Sequence, residues 1–211
     1  LALSEDWPSP EVDEHDVLID VQAAGLNLPD VLIIQGKYQI QPEMPFIPGG
    51  ECSGVVRAVG ASVSRFKVGD KVISMGATGA FCEQIAVHEH AAFPMPGGLS
   101  FEQAAGISIT YFTSYYALNQ RAKLEAGETL LVLGAAGGVG TTAIELGKLM
   151  GAKVIAAASS QEKLDLCKSL GADEVINYTQ QDWDGTEPYD IILDMVGDRP
   201  LDVYVQNLKP E

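Results

Sequence analysis

The chain has 211 residues, of which 46% are hydrophobic and 20% charged, which supports one large or two modest folded domains and excludes an intrinsically disordered chain. Its formal net charge of −16 disfavours binding to nucleic acid or anionic lipid, because both need basic surfaces. No apolar run approaches about 18 residues, so we predict no membrane span. The three scattered cysteines do not form a disulfide framework, and the N-terminus lacks the features of a signal peptide, so we expect a cytoplasmic protein.

The first hundred residues predict a β-rich domain. Short apolar runs are separated by turns that contain glycine, as is typical of a small, irregular β-barrel. The runs lie at residues 17–21, 54–59, 70–73 and 80–87. Residues 94–98 (PMPGG) are a clear break, which divides the chain into predicted domains 1–98 and 99–211.

The pattern after the break alternates between helix and strand. Ser100 and Gln103 have the spacing of a capping box, so a helix should begin near Phe101, break near Gly106 and continue to about residue 118. Later segments connect strand to helix through short turns, which predicts a parallel sheet with right-handed crossovers. The predicted strands lie at 130–133, 154–158, 174–176 and 191–194, and the helices between the first three at 139–150 and 161–170.

The first of these strands runs directly into GAAGGVG at residues 134–140. Glycine allows a tight turn and a close approach to a dinucleotide pyrophosphate, while the following helix N-terminus offers free N–H groups. Ala135, Gly137 and Gly140 occupy the three glycine positions of the fingerprint, so the first departs from the strict rule. The strand–turn–helix context favours a binding site over a plain glycine-rich turn. The predicted cofactor-binding residues are Ala136, Gly137, Gly138, Val139 and Gly140.

The second strand of this fold distinguishes NAD from NADP. It ends at Ala158 and is followed by Ser159 and Ser160, with Lys163 on the next helix. NAD enzymes place a carboxylate at this point to bind the ribose 2′-hydroxyl, whereas hydroxyls and an ammonium suit a 2′-phosphate. We therefore predict NADPH/NADP⁺ as the cofactor. The alternative is a helix cap of two serines beside a solvated lysine.

Further motifs extend over nearly the whole chain: GLNLPD at 25–30, GKY at 36–38, PGGE at 48–51, VGDKV at 68–72, GAD at 171–173, and Asp194 with Val196 and Gly197. With GAAGGVG, they resemble the quinone oxidoreductase branch of the medium-chain dehydrogenase/reductase superfamily. The resemblance implies an α/β protein in which a GroES-like β-barrel catalytic domain precedes a doubly wound Rossmann sheet, with the active site between them.

The resemblance also implies residue roles. Tyr178 would join Ser159 and Lys163 around the 2′-phosphate, and Thr113 would lie near the nicotinamide. Asn27 and Tyr38 would line the substrate pocket as the catalytic candidates. The remaining residue expected at the cofactor is Val196.

Zinc-dependent relatives of this superfamily carry Cys at the position of Asn27 and His at that of Gly50, and the third ligand region, around Ala105 and Gly106, also lacks Cys. Catalytic zinc needs about three such protein ligands, so we expect no zinc. His88 and His90 are spaced i, i+2 near a strand end, with no further Cys or His expected nearby as a partner, and we interpret them as surface residues without a metal.

These observations favour an NADPH-dependent reductase that transfers hydride to a quinone or another electron-poor carbonyl. The alternatives are an enoyl, enoyl-thioester or alkenal reductase and a non-catalytic NADPH-binding protein of the crystallin type. Members of the branch that the chain resembles continue beyond the position of Glu211, so we expect a chain that is incomplete at its C-terminal end. The edge of the fourth Rossmann strand would then be unpaired. In the full-length form we expect a homodimer.

Overall fold

The computed structural model describes residues 1–76, 78–184 and 188–210. It divides into two compact units, Leu1–Ile109 and Thr110–Glu211, rather than between residues 98 and 99. The helix Phe101–Ala105 belongs to the first unit because its start is held there by contacts with two strands. Ser53 Oγ donates to the Phe101 carbonyl at 2.6 Å, and the Lys71 ammonium lies 5.3 Å from the centre of the Phe101 ring.

The first unit contains, in its described part, a short 3₁₀ helix (Glu89–Ala91) besides five strands and two complete α-helices. These are β1 (Asp16–Gly25), α1 (Leu28–Ile34), β2 (Glu51–Val59), β3 (Lys71–Met75), β4 (Gln84–His88), β5 (Ala92–Pro94) and α2 (Phe101–Ala105). The strands form one antiparallel sheet in the spatial order β4-β1-β2-β3-β5. Alternate apolar residues point to one core, since Val17, Ile19, Val56 and Val72 are buried together around Phe66.

Several elements of this unit differ from the sequence prediction. The strand expected over 80–87 begins only at Gln84, because the Ala80 and Phe81 amides bond instead to the carbonyls of Gly49 and Pro48. Helix α1 was not predicted, although two features favour a helix start here. Pro29 lies in its first turn, and the Asp30 carboxylate accepts from the backbone N–H of Asn27.

The second unit contains a four-stranded parallel sheet. Its elements are α3 (Ser108–Tyr115, which begins in the first unit), a π-helical turn (Tyr116–Arg121), β6 (Thr129–Leu133), α4 (Gly138–Leu149), β7 (Lys153–Ala158), α5 (Gln161–Ser169), β8 (Glu174–Asn177), β9 (Ile191–Asp194) and α6 (Leu201–Gln206). The strand order is β8-β7-β6-β9. The predicted parallel sheet is confirmed, and its boundaries agree with the prediction to within one residue for every strand.

Both faces of this sheet are buried, which explains why its strands are apolar without alternation. Leu130 and Val132 of β6 belong to one core cluster, and Leu131 and Leu133 belong to another. The chain order reverses at β6, because β7 and β9 lie on opposite sides of it. In open sheets of this type ligands bind at such a switch point, beyond the carboxyl ends of the strands.

Candidate functional site

The glycine turn follows β6 at this switch point. Gly134 has a φ of +71°, a left-handed conformation that favours glycine. Ala135 has no positive φ and is fully buried within the core cluster of this unit. The left-handed residue therefore comes one position before the first fingerprint position, which explains why Ala135 is tolerated there.

Gly140 fulfils the packing role of the third glycine. A Cβ at this position would lie 2.6 Å from the carbonyl oxygens of both Gly134 and Ala135, too close for any side chain. Helix α4 therefore approaches the end of β6 as closely as its backbone allows. Close packing of helix and strand is the reason why the third fingerprint position needs glycine, and Gly140 has this geometry.

The start of α4 presents unpaired amide groups. The Thr141 amide donates to the Gly137 carbonyl at 2.9 Å, but no described residue accepts from the amides of Gly138, Val139 or Gly140. Unpaired N–H groups and the helix dipole together form a partial positive charge, which suits an anion.

The end of β9 lies beside the same turn. A Cβ built on Gly134 would be 3.2 Å from Val196 Cγ2, so Val196 covers the turn. The Asp194 carboxylate holds this loop, because it accepts from the amides of Val196 at 2.8 Å and Gly197 at 3.0 Å, and from the Tyr204 hydroxyl at 2.8 Å. The sequence predicted the Asp194 motif but not this capping role.

Two of the residues predicted at the 2′-phosphate, Ser159 and Tyr178, directly follow β7 and β8, and Lys163 on α5 contacts Ser159. Lys163 Nζ donates to Ser159 Oγ at 3.2 Å. The Tyr178 amide donates to the Ala158 carbonyl at 3.2 Å, and Ala158 pairs with Asn177 across the two strands. Ser160 is the N-cap residue of α5, but its side chain makes no capping hydrogen bond, so its hydroxyl is not committed to the helix start.

Thr113 lies on α3, exposed to solvent, while its neighbour Ser114 is fully buried. Helix α3 packs against the start of α4, since a Cβ on Gly138 would lie 3.1 Å from Thr110 Cγ2. The helix that carries Thr113 is therefore in direct contact with the glycine turn.

In the first unit, Asn27 is bound to Glu51. Asn27 Nδ2 donates to Glu51 Oε1 at 2.8 Å, and the Ile109 amide donates to Glu51 Oε2 at 2.8 Å. Because a carboxylate only accepts, this contact fixes which end of the Asn27 amide faces Glu51. One N–H of Nδ2 is left for another partner. Glu51 is only 2% exposed, and sequence reasoning did not assign it this role.

Gly25 makes room for this pair. A Cβ at Gly25 would lie 2.4 Å from Glu51 Oε1. Cys52, next along β2, is buried, and burial raises the pKa of its thiol to about 12, with further contributions from Cys82 and from Glu51. A thiol with so high a pKa is a poor nucleophile at neutral pH.

Tyr38 lies in the bend that follows α1, four residues beyond the end of that helix. It is half-buried, and its hydroxyl has no hydrogen-bond partner in the described part of the chain. Among the described residues, no hydrogen bond joins it to Asn27, which bonds to Glu51 instead.

His88 and His90 are exposed, which confirms their interpretation as surface residues, and the fold places His15 as a third histidine beside them. His15 and His88 have ring centroids 5.7 Å apart, and His88 and His90 are 5.1 Å apart. Pairing of Asp16 with His88 brings this row together, so His88 does have a histidine neighbour. Within residues 1–76, 78–184 and 188–210, no three His, Cys, Asp or Glu side chains are arranged to hold a metal ion.

Two family models match the chain. Residues 13–100 match the alcohol dehydrogenase GroES-like domain, and residues 138–211 match the zinc-binding dehydrogenase family. The chain therefore belongs to the medium-chain dehydrogenase/reductase superfamily, and the predicted fold class, a GroES-like domain followed by a Rossmann sheet, is confirmed.

Within that superfamily the chain is similar to quinone oxidoreductases. It is 37% identical over 209 residues to the quinone oxidoreductase of Lama guanicoe, covering 99% of this chain and 62% of that protein. The NADPH complex of Escherichia coli quinone oxidoreductase has a TM-score of 0.89 at 30% identity, covering 97% and 65% of the two chains. The CurK enoyl reductase has a TM-score of 0.84 at 28% identity, covering 97% and 66%. The chain thus spans about 62% of the length of the curated relatives it matches.

Proposed function

We propose that this chain carries the dinucleotide site and part of the acceptor site of an NADPH-dependent oxidoreductase that reduces quinones, or other electron-poor carbonyl compounds, without a metal. The observation that carries the proposal is the start of α4, where the amides of Gly138, Val139 and Gly140 have no acceptor among the described residues. A cofactor diphosphate matches these donors in charge and in hydrogen bonding.

The choice of NADPH over NADH rests on the end of β7. Lys163 and Ser159 are already joined by a hydrogen bond, and Ser160 has an uncommitted hydroxyl. Tyr178 begins the loop after β8, the strand beside β7. An ammonium and hydroxyl groups would bind a 2′-phosphate through charge-assisted hydrogen bonds, each worth roughly 1.5–3 kcal/mol. The NADPH bound by the similar Escherichia coli enzyme supports this choice.

The acceptor would be bound by residues of the first unit. When bound, NADPH supplies the hydride, so the protein has to orient the acceptor, exclude water and stabilise negative charge on its oxygen. Asn27 keeps one N–H after bonding Glu51, and the Tyr38 hydroxyl has no partner in the described residues. Both groups are therefore available to donate to a carbonyl oxygen.

Metal-free chemistry is part of the proposal because Asn27 and Gly50 stand where zinc-dependent relatives have ligands. Without a Lewis acid, an acceptor that is already electron-poor is easier to reduce than a simple ketone. A second candidate function is the reduction of an enoyl or alkenal substrate, which the similarity to the CurK enoyl reductase favours. A non-catalytic NADPH-binding protein is less favoured, because the Asn27 and Tyr38 donors would then have no use.

The cofactor assignment is tested by titrating the chain with NADPH and NADH. We expect NADPH to bind more tightly, and Lys163→Ala to weaken NADPH about tenfold while NADH changes less than about twofold. Lys168→Ala is the matched control, because this lysine lies on the same helix but donates to the Asp173 carbonyl at 2.5 Å. Equal affinity for the two cofactors in the unaltered chain would refute the 2′-phosphate assignment.

The acceptor class is tested by following NADPH oxidation with naphthoquinones and, separately, with enals and enoyl thioesters. Turnover of quinones supports the main proposal, turnover of enoyl compounds alone supports the second, and tight NADPH binding with neither supports the non-catalytic alternative. The cytoplasmic location and the homodimeric assembly expected from the sequence stay predictions.

A further inference from the structure

Helices α3 and α4 are joined by a pair of buried hydroxyl groups next to the glycine turn. Ser114 Oγ lies 2.7 Å from Thr142 Oγ1, and these residues are 0% and 5% exposed. Ser114 Oγ also donates to the Val139 carbonyl at 2.9 Å. Thr142 Oγ1 lies 3.1 Å from the Thr110 carbonyl, to which it can donate.

The contacts of this pair are concentrated on the first turn of α4. Thr142 Oγ1 is 3.0 Å from the Val139 carbonyl and 3.4 Å from that of Gly138. These are two of the three residues whose amides have no acceptor in the described structure. The hydroxyls thus hold the carbonyl side of the same peptide groups that present their N–H side to an anion.

The pair also fixes α3 against this turn. The two hydroxyls donate to acceptors on both helices, so neither helix can shift along the other without breaking a buried hydrogen bond. A second hydrogen bond joins the same two helices one helical turn away, where the Tyr111 hydroxyl on α3 donates to the Glu145 carboxylate on α4. Thr113, the residue proposed near the nicotinamide, is next to Ser114 on α3.

We propose that Ser114 and Thr142 are positioning residues that set the start of α4 relative to α3, so that the diphosphate donors and Thr113 fit one bound dinucleotide. The inference rests on the proposed NADPH site. Neither side chain touches the cofactor in this scheme, since both are buried behind the turn. Their effect passes through the backbone of residues 138 and 139 and through the neighbouring Thr113.

The test compares two ligands across a small set of variants of the purified chain. NADPH spans the whole site, whereas adenosine 2′,5′-bisphosphate keeps the 2′-phosphate and lacks the nicotinamide and the full diphosphate bridge. We expect Ser114→Ala and Thr142→Val to weaken NADPH about five- to tenfold, as the loss of a buried hydrogen bond would. The affinity for the bisphosphate should change less than about threefold, because Lys163 and Ser159 bind its 2′-phosphate.

Thr142→Ser keeps the hydroxyl and should restore NADPH affinity to within about twofold of the unaltered chain. Tyr189→Phe is the control for a merely structural effect. It removes a buried hydroxyl that donates to the Trp183 carbonyl at 2.8 Å. Tyr189 precedes β9 and so lies at the amino end of the parallel strands, whereas the glycine turn follows the carboxyl end of β6. The substitution should lower stability without changing the ratio of the two affinities.

The inference is overturned if Ser114→Ala and Thr142→Val bind NADPH as well as the unaltered chain, or if both ligands weaken equally. If Thr142→Val does not fold, Ser114→Ala and Thr142→Ser give the same comparison. If the unaltered chain binds both NADPH and the bisphosphate, and the variants bind NADPH equally well, only this inference is refuted. An unaltered chain that binds no NADPH refutes the proposed function and this inference together.

Discussion

The two units hold their candidate residues by different kinds of contact. In the second unit the candidate anion-binding groups are backbone amides, and the glycines that expose them are required by local sterics, as at Gly134 and Gly140. In the first unit the candidate group is the Asn27 side chain, which is oriented by the buried Glu51 carboxylate. A main-chain site is therefore sensitive to added volume, and a side-chain site to the loss of a hydrogen-bond partner.

The largest expected effect tests the main-chain side of this comparison. Gly140→Ala would bring a Cβ to 2.6 Å from two backbone oxygens, which cannot move away as a flexible side chain could. We expect a loss of about 3 kcal/mol in the free energy of unfolding and no measurable NADPH binding. Both are measured by urea denaturation and fluorescence titration.

Gly97→Ala is the matched control for added volume. A Cβ on Gly97 would have no neighbour within 4 Å, and its φ is not positive. It should change stability by less than about 0.5 kcal/mol. Normal NADPH binding by Gly140→Ala would contradict the close strand–helix contact as the basis of the site.

The same contrast explains what the sequence could predict. The glycine turn was predictable because strand, turn and helix are contiguous, and each requirement falls on a residue within the motif. The positioning of Asn27 was not, because Glu51 lies 24 residues away in the chain and the Ile109 amide 58 residues from Glu51. Asn27 and Glu51 are brought together only by the pairing of β1 with β2, which matches Gly25 with Glu51.

Short elements were missed for a related reason. Helix α1 has seven residues and α6 has six, of which none in α6 is buried. Segments of that length contain too few turns to establish a helical period in the sequence. The row of His15, His88 and His90 likewise depends on the register between β1 and β4, which single-sequence patterns do not specify.

The second expected effect tests the side-chain half of the comparison. Glu51→Gln leaves one acceptor oxygen for two donors, Asn27 Nδ2 and the Ile109 amide, and turns an NH₂ group toward one of them. We expect a loss of about 2 kcal/mol in stability. We also expect a fall of about tenfold in quinone reduction, with the NADPH dissociation constant unchanged.

Glu89→Gln is the control for this variant. The Glu89 carboxylate, which is 6% exposed, accepts from the amides of Ser64 and Arg65 at 3.2 and 3.1 Å. Both amides bond to one oxygen, Oε2, which a glutamine oxygen can replace, so Glu89→Gln should cost less stability than Glu51→Gln and should not lower turnover at a saturating NADPH concentration. A Glu51→Gln enzyme as active as the Glu89→Gln enzyme would show that Glu51 has a structural role only.

The smallest expected effect concerns pH and the contact between α3 and α4. The hydrogen bond to Glu145, with burial and the charge of that carboxylate, raises the pKa of Tyr111 from 10.0 to about 12 in the folded chain. A tyrosine whose pKa is raised on folding stabilises the folded state fully below pH 10.0, and this contribution is lost as the pH rises from there to about 12.

Tyr111→Phe removes the ionisable group, so the stability of this variant should fall less steeply than that of the unaltered chain between pH 10.0 and about 12. Urea denaturation at a series of pH values measures the difference between the two, which cancels the ionisation of the other tyrosines. Parallel curves from pH 10.0 upward would mean that Tyr111 titrates as it does in the unfolded chain, and that the Glu145 contact does not strengthen the helix pair.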